Sequence, residues 1–290
     1  AADGALTPWI LCTDAPDGVV GPDSLDRRRE ARLIDHAHRY GIPAPGIFAS
    51  GSLADRPHFG GDWFVMQRLA GTASVGPLVR DPQLIANRGR LGQQKAEILA
   101  SIHALPIPDG VFEDIAPPAE VARVETQRWS KALAATPTAK TPVMTEALER
   151  LAGWNVPAPE RVVVVHGDYR TGNLLYDPSG VAGITGVLDW EMAHPGDPLE
   201  DVAWAGLAAW RVGTGLVGAL LPEQDWIAAY ETAAERTVDP GALRFWQVLT
   251  GVKMSLLAWR AVERTPPGRE QDLLQTLFDQ LQAELLERLG

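Results

Sequence analysis

Four consecutive valines, Val162-Val163-Val164-Val165, run directly into His166-Gly167-Asp168-Tyr169-Arg170-Thr171-Gly172-Asn173, with Asp189 following after two further apolar runs. A β-branched run this short is no helix, and it is too apolar for an exposed strand, so it predicts a strand buried on both faces. Asn173-Leu174-Leu175-Tyr176 and Gly186-Val187-Leu188-Asp189 predict two more strands around a Pro-Ser-Gly turn. A strand-loop-strand hairpin returns its far end to the start of the loop and so gathers two carboxylates and an amide oxygen at one edge. Mg²⁺ takes hard oxygen ligands, usually one or two carboxylates completed by phosphate oxygens and water. Asn173 and Asp189 supply the protein half of such a site. Asp168 is left to accept a proton from a substrate hydroxyl, or to orient it.

Around this centre the apolar period divides the chain. Trp9-Ile10-Leu11-Cys12, Ile47-Phe48-Ala49-Ser50 and Trp63-Phe64-Val65-Met66-Gln67-Arg68-Leu69 predict strands. A charged helix is predicted over 24–40, bracketed by the Val19 and Pro22 region and by Gly41-Ile42-Pro43-Ala44-Pro45-Gly46. From Pro82 the period becomes helical, predicting helices over 82–104, 117–135, 142–152, 198–210, 222–236, 240–263 and 268–289. The boundary falls near Gly71, between a β-rich part over residues 1–70 and a mainly helical part over 71–290. A cleft between two such parts is a common place for a ligand.

Composition narrows the function. A net charge of −11 argues against nucleic acid, whose phosphates demand a basic face. It suits a cationic substrate and equally well plain solubility. Cys12 is the single cysteine, so no internal disulfide forms. No apolar run approaches the roughly 18 residues that span a bilayer, and Ala1-Ala2-Asp3-Gly4-Ala5 lacks the basic and apolar regions of a leader. The expectation is a cytoplasmic enzyme with neither membrane nor nucleic-acid partners.

The spacing His166-x-Asp168-x-x-x-x-Asn173 matches the protein-kinase catalytic loop except for Gly167 in place of Arg, and Asp189-Trp190-Glu191 stands where a kinase has its metal-binding Asp-Phe-Gly. With Gly196-Asp197-Pro198-Leu199 and Asp201-Val202-Ala203-Trp204 downstream, the chain resembles the aminoglycoside phosphotransferase-like family. It looks most similar to the branch fused to acyl-CoA dehydrogenase-like proteins. The resemblance implies an α+β, bilobal, protein-kinase-like fold and phosphoryl transfer from ATP, or GTP, to a hydroxyl of a small molecule. It further implies Asp168 as catalytic base, Asn173 and Asp189 as Mg²⁺ ligands, His166 as a brace for the loop, and Met66, Gln67, Arg68 and Leu69 as the hinge that meets the adenine edge through its backbone.

The amino end departs from that family. No Gly-rich hairpin precedes Trp9, so the small lobe is expected to be incomplete. Cys12 takes the place of the strand Lys or Arg, with Glu30 as the would-be ion-pair partner. The missing cation raises a second reading, a nucleotide-binding module without turnover. A third, a metal-dependent hydrolase built on His166, Asp168 and Asp189, lacks the accompanying H-x-H or H-E-x-x-H pattern. Simpler expectations cover the rest. Asp197 and Asp201 are capping or anchoring carboxylates, Arg27-Arg28-Arg29 is a solvated helix face, Cys12 is a small core residue, and the late tryptophans pack the core, while Glu191 and His194 are candidates to face substrate.

Overall fold

A computed structural model describes residues 8–13, 24–136 and 142–290. The Val19 and Pro22 bracket lies outside these residues. Three antiparallel strands, β1 (Trp9–Thr13), β2 (Ile47–Gly51) and β3 (Trp63–Gln67), form one sheet in the order β1-β3-β2. Helix α1 (Arg27–Arg39) starts at Asp26, whose carboxylate accepts the N–H groups of Arg28 and Arg29 at 3.0 and 2.8 Å. Ala31, Leu33, Ile34 and Ala37 on one face of α1 are buried against the sheet.

The remainder is mainly helical. A short helix α2 (Gly76–Arg80) precedes α3 (Pro82–Ala104), which begins at the N-cap Asp81 with Pro82 in the first turn. Helices α4 (Val121–Ala134) and α5 (Pro142–Ala152) lead to the strand β4 (Val163–Val165). The hairpin β5 (Leu174–Tyr176) and β6 (Ile184–Val187) follows, then β7 (His194–Gly196), α6 (Leu199–Ala205), α7 (Glu223–Ala234), α8 (Pro240–Arg264) and α9 (Arg269–Leu289). Helix α8 runs through the middle: Phe245, Trp246, Val248, Leu249, Val252 and Leu256 are all at most 1% exposed. Each such side chain contributes about 1.5–3 kcal/mol of burial. No helix among the described residues is long and apolar enough to cross a membrane.

Several boundaries differ from the sequence expectations. The strand expected over 63–69 ends at Gln67, and the one expected over 186–189 lies at Ile184–Val187, leaving Leu188 and Asp189 outside the sheet. The helix expected over 198–210 stops at Ala205, where Gly206 caps it, and only a single 3₁₀ turn, Ala208–Trp210, follows. The region expected as helix from 117 opens with a 3₁₀ turn over Pro118–Glu120 before α4. Two elements carry no sequence signal. β7 is His-Pro-Gly, whose proline and glycine both disfavour strands, and it forms because it pairs antiparallel with β4, Val164 opposite Pro195. α2 is a single short turn of helix that contains Gly76 and Pro77.

Gly71 lets the chain cross from the sheet to the helical part. Its φ is +129°, and a Cβ there would lie 2.7 Å from Thr185 Oγ1 and 2.9 Å from the Tyr176 carbonyl. The neighbouring Thr72 exchanges two backbone hydrogen bonds of 3.0 Å with Tyr176 and so docks the crossing onto β5. The Val187 N–H reaches back to the Pro43 carbonyl at 2.7 Å.

Candidate active site

The buried strand β4 delivers the loop, and two anchors fix it. The Asp201 carboxylate, at the first turn of α6 and wholly buried, accepts the N–H of His166 at 2.7 Å and of Gly167 at 3.0 Å. Its remaining capacity goes to His103 Nε2 at 3.2 Å. His166 is fully buried between Trp190 and Tyr169, with Nε2 facing the Leu188 carbonyl at 3.1 Å and Nδ1 taking the Asp168 N–H at 3.3 Å. That arrangement is the neutral tautomer with the proton on Nε2, and burial lowers its pKa. The imidazole therefore links the loop to the turn that follows β6 and does not line the cleft. Gly167 stands where a kinase has Arg because its φ is +82° and a Cβ would lie 2.3 Å from the Met192 carbonyl oxygen.

Asp168 is aimed by three side chains. Trp204 Nε1 donates to Oδ1 at 2.8 Å; Asn173 Nδ2 and Arg170 Nε donate to Oδ2 at 2.7 and 3.1 Å. A carboxylate offers roughly two lone pairs per oxygen, so Oδ2 is saturated and Oδ1 retains one acceptor site. Arg170 is itself stacked on Trp210, its guanidinium carbon 5.1 Å from the ring centroid. Asn173 spends its amide nitrogen on Asp168, both at Oδ2 and at the main-chain carbonyl at 3.0 Å. Its Oδ1 accepts no hydrogen bond among the described residues.

Asp189 follows β6 with φ +67°, a left-handed conformation in which a non-glycine residue is strained. Its carboxylate opens on the cleft and accepts no hydrogen bond among the described residues. The surrounding protein, together with the charges of Glu191 and Asp168, pushes its pKa up to about 6. Asp168, Asn173 and Asp189 are thus gathered at one end of the β5–β6 hairpin, with Asp168 and Asp189 close enough to repel each other. The Asn173 Oδ1 and the Asp189 carboxylate, which accept no hydrogen bond among the described residues, stand beside a third side chain already oriented and form a donor set of the hard type that suits Mg²⁺.

A cavity of about 430 Å³ lies between the sheet and this hairpin, lined by Cys12, Arg27, Glu30, Met66 and residues 188–191 among others. Of the expected hinge residues, Met66 lines it; Gln67, Arg68 and Leu69 are not among its lining residues. The Gln67 and Arg68 N–H groups are spent on Gly46 and Pro8 carbonyls, at 2.8 and 3.1 Å. Cys12, half-buried, packs against the edge of the core and also lines the cavity wall. Arg27 is equally misplaced by the solvated-face expectation: its side chain is 17% exposed and bridges Glu30, at 2.6 Å, to Glu191, at 3.2 Å.

His194 faces away from this cavity. Its two nitrogens meet the Met192 carbonyl at 2.9 Å and Glu200 at 3.2 Å, both acceptors, which is the arrangement of an imidazolium. Burial opposes that charge most strongly, but the charge and hydrogen bond of Glu200 together with the charge of Glu125 prevail and the pKa is raised. Glu125, His194 and Glu200 are the metal-like cluster found among the described residues, yet the Lys253 ammonium is bonded to Glu200 at its centre. It is a buried ion network beneath Trp204, and no hydrolase-type metal site accompanies the loop among the described residues.

Trp204, Arg170 and Arg27 escaped the sequence reading. Arg170 was legible in principle, two residues past Asp168, whereas Trp204 and Arg27 meet the site only through the tertiary fold.

The chain is 28% identical over 206 residues to acyl-CoA dehydrogenase family member 10 of Mus musculus, covering 69% of this chain but 18% of that protein. It spans less than a quarter of the length of the curated acyl-CoA dehydrogenase relatives with which it aligns first. It is also 28% identical over 193 residues to the aminoglycoside 3'-phosphotransferase of Streptomyces fradiae, covering 63% of this chain and 64% of that one. In fold it matches a candidate aminoglycoside phosphotransferase from Ralstonia eutropha with a TM-score of 0.74 at 17% identity, over 99% of this chain and 94% of the other. A thermostable mutant of aminoglycoside phosphotransferase APH(4)-Ia, solved in ternary complex with ADP and hygromycin B, matches with a TM-score of 0.56 at 16% identity, over 88% and 82%. Residues 3–246, which include the strand-anchored loop, the Asp189 turn and the Asp201 anchor, match the model of the phosphotransferase enzyme family, and the chain belongs to that family.

Proposed function

We propose that this phosphotransferase moves the γ-phosphoryl group of ATP, or of GTP, to a hydroxyl of a small molecule, with Asp168 as the base. The observation that carries the reading is the Asp168 carboxylate, held by Trp204, Arg170 and Asn173 with one lone pair of Oδ1 left open. That lone pair would take the acceptor hydroxyl's hydrogen and point its oxygen at the phosphorus, so the enzyme's contribution is orientation and charge placement. Asn173 Oδ1 and the Asp189 carboxylate would hold Mg²⁺, which when bound neutralises phosphate charge. The nucleotide base would enter the cavity beside Met66, with the 66–70 segment as hinge between lobes at residues 1–70 and 71–290. The relatives solved with ADP or GDP and an aminoglycoside support a nucleotide and a hydroxylated acceptor as the two substrates.

A second reading, a nucleotide-binding module without turnover, is favoured by one observation: Cys12 lines the cleft where a strand cation is expected. One assay separates them. ATP and GTP consumption is measured against a panel of aminoglycosides, sugars and small alcohols, for the natural chain and for Asp168→Ala. Turnover with at least one acceptor is expected, falling about 10³-fold or more in Asp168→Ala while nucleotide affinity stays within about threefold. Full turnover by the Asp168 variant would sink the mechanism, and nucleotide binding with no turnover on any acceptor would favour the module.

A further inference from the structure

The cleft presents three carboxylates, Glu30, Asp189 and Glu191, and among its described lining residues one cation, Arg27. Nucleotide phosphates entering such a place are repelled unless a positive group faces them. In protein kinases that group is a strand lysine, paired with a glutamate of the next helix. Here the strand position is Cys12, whose thiol is pushed up by burial and then by Glu30, so it stays neutral. Glu30 nevertheless has its ion pair. The partner is Arg27, three residues earlier on the same helix, with Nη1 at 2.6 Å from Oε2. Arg27 Nη2 reaches Glu191 at 3.2 Å, and the Leu25 N–H bonds the Glu191 carbonyl at 2.8 Å, which ties the start of α1 to the Asp189-Trp190-Glu191 turn. The guanidinium therefore stands on the cavity wall between Glu30 and Glu191, and its field reaches the candidate metal ligand Asp189.

We propose that Arg27, from α1, grips the nucleotide phosphates in place of the strand lysine; this rests on reading the cleft as the nucleotide site. A guanidinium can keep Nη1 on Glu30 while Nη2 exchanges Glu191 for a phosphate oxygen, a forked geometry an ammonium does not match. Arg170, the other nearby cation, is held by Asp168 and Trp210 at the catalytic carboxylate and does not line the cavity.

Calorimetric or fluorescence titration with ATP, ADP and adenosine, and with the guanine series, provides the test, in Mg²⁺ buffer. Arg27→Gln is expected to lose about ten- to a hundredfold in affinity for the di- and triphosphate while the nucleoside changes by less than about twofold. Adding Cys12→Lys to Arg27→Gln restores at least about fivefold of that loss, because the new ammonium stands beside Glu30. Equal losses for nucleoside and nucleotide mean a merely structural role and overturn the proposal. So does an unchanged ADP affinity, or a phosphate-specific loss seen in Arg170→Gln alone. Should Arg27→Gln fail to fold, Cys12→Lys in the otherwise natural chain decides: ADP affinity rises about threefold or more as Glu30 gains a second cation and releases Arg27, and an unchanged affinity overturns the proposal. A natural chain that binds neither nucleotide series overturns the nucleotide reading itself along with this one, whereas binding that ignores Arg27 overturns this one alone.

Discussion

Asp189 concentrates costs that nothing else in the fold requires. It is a non-glycine residue at φ +67°, it faces two other carboxylates, and its pKa stands at about 6 against an ordinary 3.8. A carboxyl whose folded pKa is raised binds its proton more tightly when folded. Between about pH 4 and 6 the folded state then holds more protons than the unfolded one, and stability falls as pH rises through that window. Above it the penalty is fully present. Asp189→Asn keeps a side chain that tolerates the left-handed backbone and removes the charge, so the nucleotide-free variant should melt slightly above the natural chain at pH 7.5, a gain kept small because the residue is exposed and water screens its charge. Its melting temperature should also lose part of the decline between pH 4 and 6, while Mg²⁺-dependent nucleotide binding weakens. Thermal melts across pH, with and without Mg²⁺–nucleotide, check all three, and a lower melting temperature at pH 7.5 would show that the carboxylate makes a stabilising contact. Strain stored at one residue with no local benefit is the pattern of a site kept for its chemistry. Residues such as Asp168, Asn173 and Asp189 were legible because their spacing along the chain encodes the hairpin. Trp204 and Arg27 were not, since a tryptophan on a helix and an arginine in a basic run look like core and surface until the fold turns them inward.

At the scale of elements, α3 does more than fill the core. Its Lys95 is fully buried with no carboxylate partner among the described residues: Nζ meets Thr171 Oγ1 at 3.3 Å and lies 5.7 and 5.1 Å from the Tyr169 and Trp226 ring centroids. The Lys95 carbonyl accepts the Tyr169 hydroxyl at 2.7 Å, so this helix grips the loop that carries Asp168 at two points. Burial lowers the ammonium's pKa from 10.5 to about 7. The unfolded chain holds that proton up to pH 10.5 and the folded chain only to about 7, so stability from this group rises with pH between those values and the charge penalty is complete below 7. Lys95→Met removes the penalty. Its melting temperature should exceed that of the natural chain by about 2 °C or more at pH 6, and the difference should shrink toward pH 9. A constant offset across that range would mean that Lys95 does not titrate. The helices α3 and α5 were readable to the residue because proline marks their starts and apolar spacing their length. β7 was unreadable because its only stabilisation is pairing with a strand some thirty residues away, a long-range fact that His-Pro-Gly contradicts locally. The end of β6 was misjudged for a related reason: Leu188 and Asp189 look like strand continuation, and only the left-handed turn at Asp189 takes them out of the sheet.

At the scale of the molecule, the sheet and the helical part are coupled through the same turn that presents Asp189. Leu25 and Arg27 bond Glu191, Val187 bonds Pro43, and Thr185 Oγ1 bonds the Ala70 carbonyl at 2.6 Å. The cavity draws its walls from both sides, with Cys12, Glu30 and Met66 on one and Leu188 to Glu191 on the other. A ligand there bridges the two halves, so it should stabilise the whole chain and not one lobe. Linkage gives the size: Mg²⁺–nucleotide at a hundred times its dissociation constant adds about 2.7 kcal/mol. For a chain of this length that corresponds to roughly 4 °C in melting temperature. Differential scanning calorimetry should show one transition that moves upward intact, with a smaller shift for the nucleotide in EDTA, the outcome expected of an ion held by the proposed ligands Asn173 and Asp189. A split endotherm in which only the lower-melting part responds would mean that the lobes unfold independently and that the nucleotide contacts one of them alone.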